Sequence, residues 1–555
     1  MFLDKIKELT AFELNVNPQE LIYPPKSDWG DFSLPVFKKA QEMKLSPEKV
    51  GEDYKEKIFN NKKLERVIES STYLGGYLNF FIKKEYLFKS ILEDILKNKK
   101  KYGHNKSGGG NVNIFEYSNV NTHKDFHIGH LRNICFGDSI YKIALVNGFK
   151  ASPVSYINDF GIHTAKAIWS YKKKYSENLN KCYANTVKKT KDDPLIVREV
   201  TSIMTDIEKR RGENYRLWKK TRKISLEEFN SIYKKLGVNF KKTYFESEVI
   251  KRGFKMVNTF IKKGIFKKSE GAIIADLEKY NLGILPIIRS DGTALYPVAD
   301  LALIEKKSKD FKNLKNSYII VDVRQKLYFQ QLFKVLSLAG YKQNFFHLSY
   351  DFVTLPEGMM SSRSGNAVPF EKLYNKVWQE LIIETRKRHP DWKEKKIEKN
   401  SDKLAIAILK FETLKISSNK IITFDIKEAT KFDGFSALYI LYGLARIKSI
   451  LRKASFRPQS QLDYKFLNDK MEKELVSKLA KYPEIIIKSQ KDYDPSEIAK
   501  YLFQLFKTFN EYYQKVKIIQ AEEKTKKARL GFVYAVALVA QNALSLLGID
   551  PLDEI

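Results

Sequence analysis

Apolar positions recur with a helical period over Phe2–Leu14, Pro35–Met43 and Pro47–Asn60, and alternate over Tyr77–Ile82. These patterns predict a small α/β unit over residues 1–104, closed by the Gly-rich joint Lys106-Ser107-Gly108-Gly109-Gly110. A strand is expected at Val112–Tyr117, a loop at Ser118–Lys124, a helix from near Ile128 to Asn147, and a second strand at Val154–Ile157. That succession is a β-loop-α-β unit, the building block of a parallel sheet. A charged, mostly helical stretch from about 171 to 268 reads as an insertion between two halves of one sheet. Strand patterns return at Ala272–Asp276, Thr293–Pro297, Tyr318–Asp322 and Phe346–Ser349, and from about Lys403 nearly everything is helical. The expected organisation is therefore an N-terminal unit at 1–104, a parallel α/β domain at 105–400 and an all-α domain at 401–555.

Charge narrows the class of partner. Lysine and arginine number 99 against 66 aspartates and glutamates in 555 residues, a net +33, while 43% hydrophobic and 13% aromatic residues exclude a disordered chain. Part of the surplus is lysine on ordinary solvated faces, but an excess of this size attracts a polyanion, nucleic acid first. Two cysteines, Cys135 and Cys182, make neither a disulfide framework nor a zinc finger and fit a reducing cytoplasm. Met1-Phe2-Leu3-Asp4-Lys5 is unlike a secretory signal, and the longest apolar run, near Leu530–Ala540, breaks too early to span a membrane.

The sharpest chemical feature is His127-Ile128-Gly129-His130. There are 7 histidines in the chain, and His123, His127, His130 and His163 fall close together in sequence. His127 and His130 are three apart on the first turn of a helix that follows a strand, where unpaired N–H groups favour an anion. Gly129 leaves the backbone open to a flat base or ribose. The arrangement is a nucleotide site without a Walker loop; the Gly103 to Gly108 spacing fails as a P-loop because Gly109-Gly110 replaces its Lys-Ser/Thr. Two other readings stand beside it: both histidines merely cap the helix, or His123, His127 and His130 bind a metal. A second feature, Pro356-Glu357-Gly358-Met359-Met360-Ser361-Ser362-Arg363-Ser364-Gly365, follows the last sheet strand and has the composition of a loop that closes on phosphate.

The tetrad matches the signature of class I aminoacyl-tRNA synthetases, and residues 359–363 stand where their Lys-Met-Ser-Lys-Ser loop belongs. Within that class the chain resembles the arginyl-tRNA synthetases. Glu116-Tyr117-Ser118-Asn119-Val120-Asn121-Thr122-His123-Lys124-Asp125-Phe126 is similar to their lead-in, and Arg289-Ser290-Asp291-Gly292-Thr293-Ala294-Leu295-Tyr296 with Asp300 to their mid-sheet motif. Phe424-Asp425, Tyr439, Tyr442, Ala445-Arg446 and Leu546-Leu547-Gly548-Ile549 resemble their helical C-terminal domain. Asp28-Trp29-Gly30-Asp31-Phe32 and Gly75-Gly76-Tyr77-Leu78-Asn79-Phe80 resemble their N-terminal domain.

The resemblance implies a Rossmann-like catalytic domain between a tRNA-binding appendage and an anticodon-binding domain. It implies ATP-driven attachment of L-arginine to its tRNA in two steps, with Mg2+ on the phosphates, bound tRNA needed for the first step, and a cytoplasmic monomer. The implied catalytic groups are His127, His130 and Lys124, and the implied ATP contacts Ile128, Gly129, Met360, Ser361, Ser362 and Arg363. Tyr296, Asp300 and Gln325 would line the guanidinium pocket, Glu116, Ser118 and Asn121 would hold the amine and carboxylate, and Tyr439, Tyr442 and Arg446 would meet tRNA. Both lysines of the signature loop are absent, replaced by Met359 and Ser362, and Lys124 stands where some family members carry a compensating lysine. Asn119-Val120 replaces Ser-Pro, and Asn158-Asp159-Phe160-Gly161-Ile162-His163 replaces Gly-Asp-Trp-Gly-Thr-Gln. The missing lysines also suit a different class of protein, a tRNA-binding module that has lost catalysis.

Overall fold

The structure is a computed structural model that describes residues 2–24, 27–190, 193–356, 368–458 and 462–555. Its frame is a five-stranded sheet of β1 (Val112–Glu116), β2 (Lys150–Ile157), β3 (Lys242–Phe245), β4 (Leu314–Asp322) and β5 (Asn344–Tyr350), ordered β5-β4-β1-β2-β3. Every neighbouring pair is parallel. The chain winds outward from β1 in one direction and returns on its other side at β4, so the switch point lies between β1 and β4, at the carboxyl ends where ligands of such sheets bind. Alternation along β1 divides its two faces. Phe115 and Tyr117 join one core, continuous with the N-terminal unit and the C-terminal helices, while Ile114 joins a second core with Val154, Val298 and Leu303.

Three expectations are corrected. β3 lies inside the stretch read as a helical insertion; Lys-Thr-Tyr-Phe is a four-residue edge strand set between long helices, too short to show a period. Ala272–Asp276 belongs not to the central sheet but to a separate antiparallel sheet with Lys267–Ser269 and Ile284–Ile288. Residues 293–297 form no strand, because Tyr296 and Pro297 open the helix Tyr296–Asp310, where a proline in the first turn loses no hydrogen bond.

The N-terminal unit pairs Tyr77–Ile82 with Phe32–Pro35 on one side and Ile68–Leu74 on the other, all antiparallel. The boundary expected at 400 falls within a continuous helix, Glu394–Leu414. Glu523–Leu546 is long and apolar enough to cross a membrane by composition, but 72% of its apolar window is buried in the C-terminal helical core.

Candidate functional site

All five strands of the central sheet deliver residues to one edge. The loop after β1 leads into the tetrad helix, Ile128–Val146, with His127 as its N-cap. His127 Nδ1 accepts from the Gly129 N–H at 3.1 Å, and the His127 N–H donates to His130 Nδ1 at 3.2 Å. The two rings stack 3.7 Å apart. A Cβ on Gly129 would sit 3.0 Å from the His127 ring, so the glycine makes room for this cap.

Capping and nucleotide binding are therefore compatible, because each neutral ring accepts at Nδ1 and must carry its proton on Nε2, the edge left to donate. Burial, with the nearby Lys124 ammonium, lowers His127 to about 4, and burial with His127 and Lys124 holds His130 well below the usual imidazole range, so both stay neutral at physiological pH. His123 is not a metal ligand: its ring nitrogens are taken by Thr122 Oγ1 at 2.9 Å and Thr221 Oγ1 at 2.8 Å, and its pKa falls to about 3 by burial. Among the described residues no three His, Cys, Asp or Glu side chains gather as a metal site.

Lys124 is half-buried, its Nζ 4.5 Å from the centre of the Tyr183 ring on the insertion helix Leu179–Lys189. One turn back on that helix, Asn180 Nδ2 donates to Asp125 Oδ2 at 2.7 Å. The ammonium also reaches His163 electrostatically, which places it among three imidazoles.

Met360, Ser361, Ser362 and Arg363 lie outside the described residues. The chain on either side of 357–367 is tied to the tetrad helix. Ile128 N–H donates to Val368 O at 3.2 Å and Phe370 N–H to Phe126 O at 2.8 Å. On the other side, the buried Arg132 donates to Asp351 O at 2.6 Å and Phe352 O at 2.8 Å. Its second nitrogen reaches Ser417, Ser418 and Lys420 carbonyls at 3.4, 3.1 and 2.9 Å. The sequence reading missed this residue; nothing in an arginine at the fifth position of a helical pattern marks it as a cation held by five carbonyls.

The second half of the edge is acidic. Asp300, in the second turn of Tyr296–Asp310, accepts from the Tyr328 hydroxyl; it is not the N-cap of that helix, which is Leu295. Burial raises Asp300 to about 6. Glu246, immediately after β3, rises to about 8 through burial and the charges of Asp300 and Asp159, against a bond from Asn158 Nδ2 at 3.3 Å. Asp159 is the neutralised member, holding Arg222 Nε at 2.5 Å and the Ser247 hydroxyl at 2.8 Å. Tyr156 and Tyr328 adjoin the two raised carboxylates, and Tyr296, 71% exposed, stands at the rim. Neither raised carboxylate has a cationic partner among the described residues, an arrangement whose charge suits a delocalised cation. Glu246 and Tyr328 were missed by sequence reasoning because a strand-end glutamate and a helical tyrosine are common on solvated faces.

Two expected substrate contacts are buried behind the site. Glu116 points with Ile114 to the side away from the tetrad helix, where it pairs with the buried Lys307 and accepts from Asn119 Nδ2 at 2.9 Å, leaving neither oxygen open. Burial brings Lys307 down to about 7. Ser118 is fully buried, with φ at +65°, its hydroxyl 2.6 Å from Tyr233 Oη. Asn121 remains half-buried at the edge, bridged to Asn158. Gln325 is exposed just beyond β4, whereas Gln331 is spent on the Leu282 carbonyl at 2.7 Å.

The helix Ala437–Lys453 separates the two candidate tyrosines. Tyr439 packs on Phe503, with ring centres 5.6 Å apart, whereas Tyr442 turns outward. Arg446 lies between the exposed rings of Tyr442 and Tyr513, 5.1 and 4.9 Å from their centres, and donates to Asn510 Oδ1 at 2.7 Å. Of the basic stretch that follows, Lys448 and Arg452 are tied to Asp553 and Glu554 at the C-terminus.

Comparison with known proteins covers the whole chain. Residues 1–82 match the family described as "Arginyl tRNA synthetase N terminal domain", 91–426 "tRNA synthetases class I (R), catalytic domain", and 440–555 "DALR anticodon binding domain". The chain is 33% identical to the arginine–tRNA ligase of Clostridium botulinum strain Langeland, across 99% of this chain and 98% of that one. It is 32% identical to that of Halothermothrix orenii, with the same coverage. Its fold is that of the Thermus thermophilus arginyl-tRNA synthetase (TM-score 0.79, 23% identity, 100% of this chain and 99% of that one). The Plasmodium falciparum enzyme is similar to the same degree (TM-score 0.79, 19% identity, 100% and 98%). The protein is an ATP-dependent ligase that charges tRNA with arginine, and the catalytically impaired reading finds no support. A histidine-capped helix at the switch point, an acidic pocket one strand away and three successive matching domains agree on one conclusion: this chain belongs to the arginyl-tRNA synthetases of class I.

Proposed function

We propose that one sheet edge holds both substrates of the first step, the triphosphate of ATP at His127, His130 and Lys124 and the arginine guanidinium between Asp300 and Glu246. The observation that carries this is a pair of raised carboxylates, with no cationic partner among the described residues, at the same sheet edge as two imidazoles whose Nδ1 atoms are occupied, which leaves Nε2 to donate. Ile128 and Gly129 back the nucleotide, and Met360, Ser361, Ser362 and Arg363 are its further contacts. Asn121 meets the amine and carboxylate of arginine, and Tyr296 and Gln325 border its side chain. Tyr442 and Arg446 receive unpaired tRNA bases, with Tyr439 buttressing them.

An arginine carboxylate oxygen attacks the α-phosphorus, and the bond to the bridging oxygen breaks, releasing pyrophosphate and leaving arginyl-adenylate. A hydroxyl of the terminal adenosine of tRNA then attacks the activated carbonyl, and AMP leaves. No covalent bond to the protein forms; the residues position the substrates and offset charge developing on the phosphates. Mg2+ accompanying ATP would lower the charge that His127, His130 and Lys124 must meet. The enzyme works as a cytoplasmic monomer, which its two unpaired, buried cysteines fit. The test is Asp300→Asn: the KM for arginine should rise at least tenfold while that for ATP stays within twofold. An unchanged arginine KM would refute the pocket assignment.

A further inference from the structure

Tyr156 is fixed on β2, in register with Tyr244 of β3, and is 5% exposed. Its phenol oxygen is buried and finds no hydrogen-bond partner among the described residues. The charged groups that act on it are Glu246, Asp300 and Asp159, and the Tyr296 phenol stands nearby. A buried hydroxyl without a partner destabilises the free protein, and a central strand held by ladders on both sides cannot swing it back to water. Other buried hydroxyls are unpartnered too, Tyr54 and Ser317 among them. Tyr156 differs in lying within electrostatic reach of Glu246 and Asp300, two buried carboxylates with no cationic partner among the described residues.

We propose that Tyr156 is a further guanidinium contact of the arginine pocket: its phenol oxygen, unpartnered among the described residues, accepts a substrate N–H. This rests on reading that pocket as the arginine site. The stoichiometry favours it. A guanidinium brings five N–H donors in one plane, and Tyr328 already occupies one Asp300 oxygen. A third acceptor set beside the two carboxylates completes a planar fork. The ammonium of lysine presents three donors on one atom instead of five spread over a plane.

The test is Tyr156→Phe, because the two possible roles of the hydroxyl move two measurements in opposite directions. If the hydroxyl serves only the ligand, the free variant melts at or above the wild-type temperature, and its KM for arginine rises about ten- to a hundredfold with the KM for ATP unchanged. The gain in melting temperature on adding arginine shrinks accordingly. A variant that melts lower without ligand would mean that the hydroxyl is bonded in the free enzyme, and the proposal is wrong. An arginine KM within twofold of wild type also overturns it. Asp300→Asn separates the two ideas: if that variant raises the arginine KM and Tyr156→Phe does not, Tyr156 alone is misassigned. If neither does, the pocket itself is misassigned.

Discussion

Acidifying the solution from pH 8 to pH 6 should weaken arginine binding steeply, and Glu246 sets the size of the effect. In the free protein its carboxyl is raised from the model-peptide 4.5 to about 8 by burial and by the charges of Asp300 and Asp159. Below pH 8 it is therefore mostly protonated until a cation enters. A bound guanidinium favours the ionised form, so binding must expel the proton, and the dissociation constant scales as one plus the ratio of protonated to ionised carboxyl. With a free pKa of about 8 that factor is about 2 at pH 8 and about 100 at pH 6, a loss of about fiftyfold in affinity. Asp300, raised to about 6, adds about a further factor of two at pH 6 and more below it. Isothermal calorimetry reads both parts: the dissociation constant at pH 6, 7 and 8, and the protons released, from the dependence of heat on buffer ionisation. About one and a half protons should leave per arginine at pH 6 and about one at pH 7, falling toward one half at pH 8. Glu246→Gln should bind weakly and release almost none at pH 7 and 8. A dissociation constant flat to within twofold between pH 6 and 8 would refute the reasoning. The same shift acts on stability: a raised acid contributes stability that is fully present below 4.5 and lost as the pH rises through about 8. Protection by arginine against heat should accordingly be largest at the alkaline end.

Three further outcomes are expected. Lys124→Ala should depress arginine-dependent ATP–pyrophosphate exchange, measured with tRNA present, by about a hundredfold, and Ser362→Lys added to it should restore part; exchange at the wild-type rate would mean that other groups hold the phosphates. Arg446→Ala removes the cation between Tyr442 and Tyr513 and should raise the KM for tRNA about tenfold with the arginine KM unchanged; an unaltered tRNA KM would place the tRNA contact elsewhere. Affinity for tRNA should fall steeply in a plot of log K against log salt, and a nearly flat line would contradict a surface that tracks phosphates.

What sequence could reveal depended on how far each residue's role is local. The tetrad was legible because a strand, a loop and a helix start are adjacent in the chain, and the capping geometry of His127 and His130 needs nothing beyond three neighbours. Asp300 was legible only by resemblance. The carboxyl of Glu246 and the hydroxyls of Tyr156 and Tyr328 come from the end of β3, from β2 and from the helix after β4, brought together only by the sheet. Glu116 and Ser118 show the converse. Their motif marks them as site residues, yet alternation along β1 turns Glu116 to Lys307, and a left-handed backbone at Ser118 turns its hydroxyl to Tyr233. β3 was missed because four residues between helices carry too few positions to display a period.

The five carbonyls around Arg132 also bear on how the protein can be cut. A fragment ending at 400 would break the helix Glu394–Leu414 and strip away the carbonyls of Ser417, Ser418 and Lys420, stranding a buried guanidinium with two acceptors. It would also remove Ile422–Thr423, the strand that pairs with Val353–Thr354. A fragment ending near 430 keeps all of these. The unit that can be excised is thus longer than the unit that carries the chemistry, and expression of separate halves, split-protein reporters or domain exchange among relatives should place the junction in the short stretch between Ala429 and Ala437, where one helix has ended and the next has not begun.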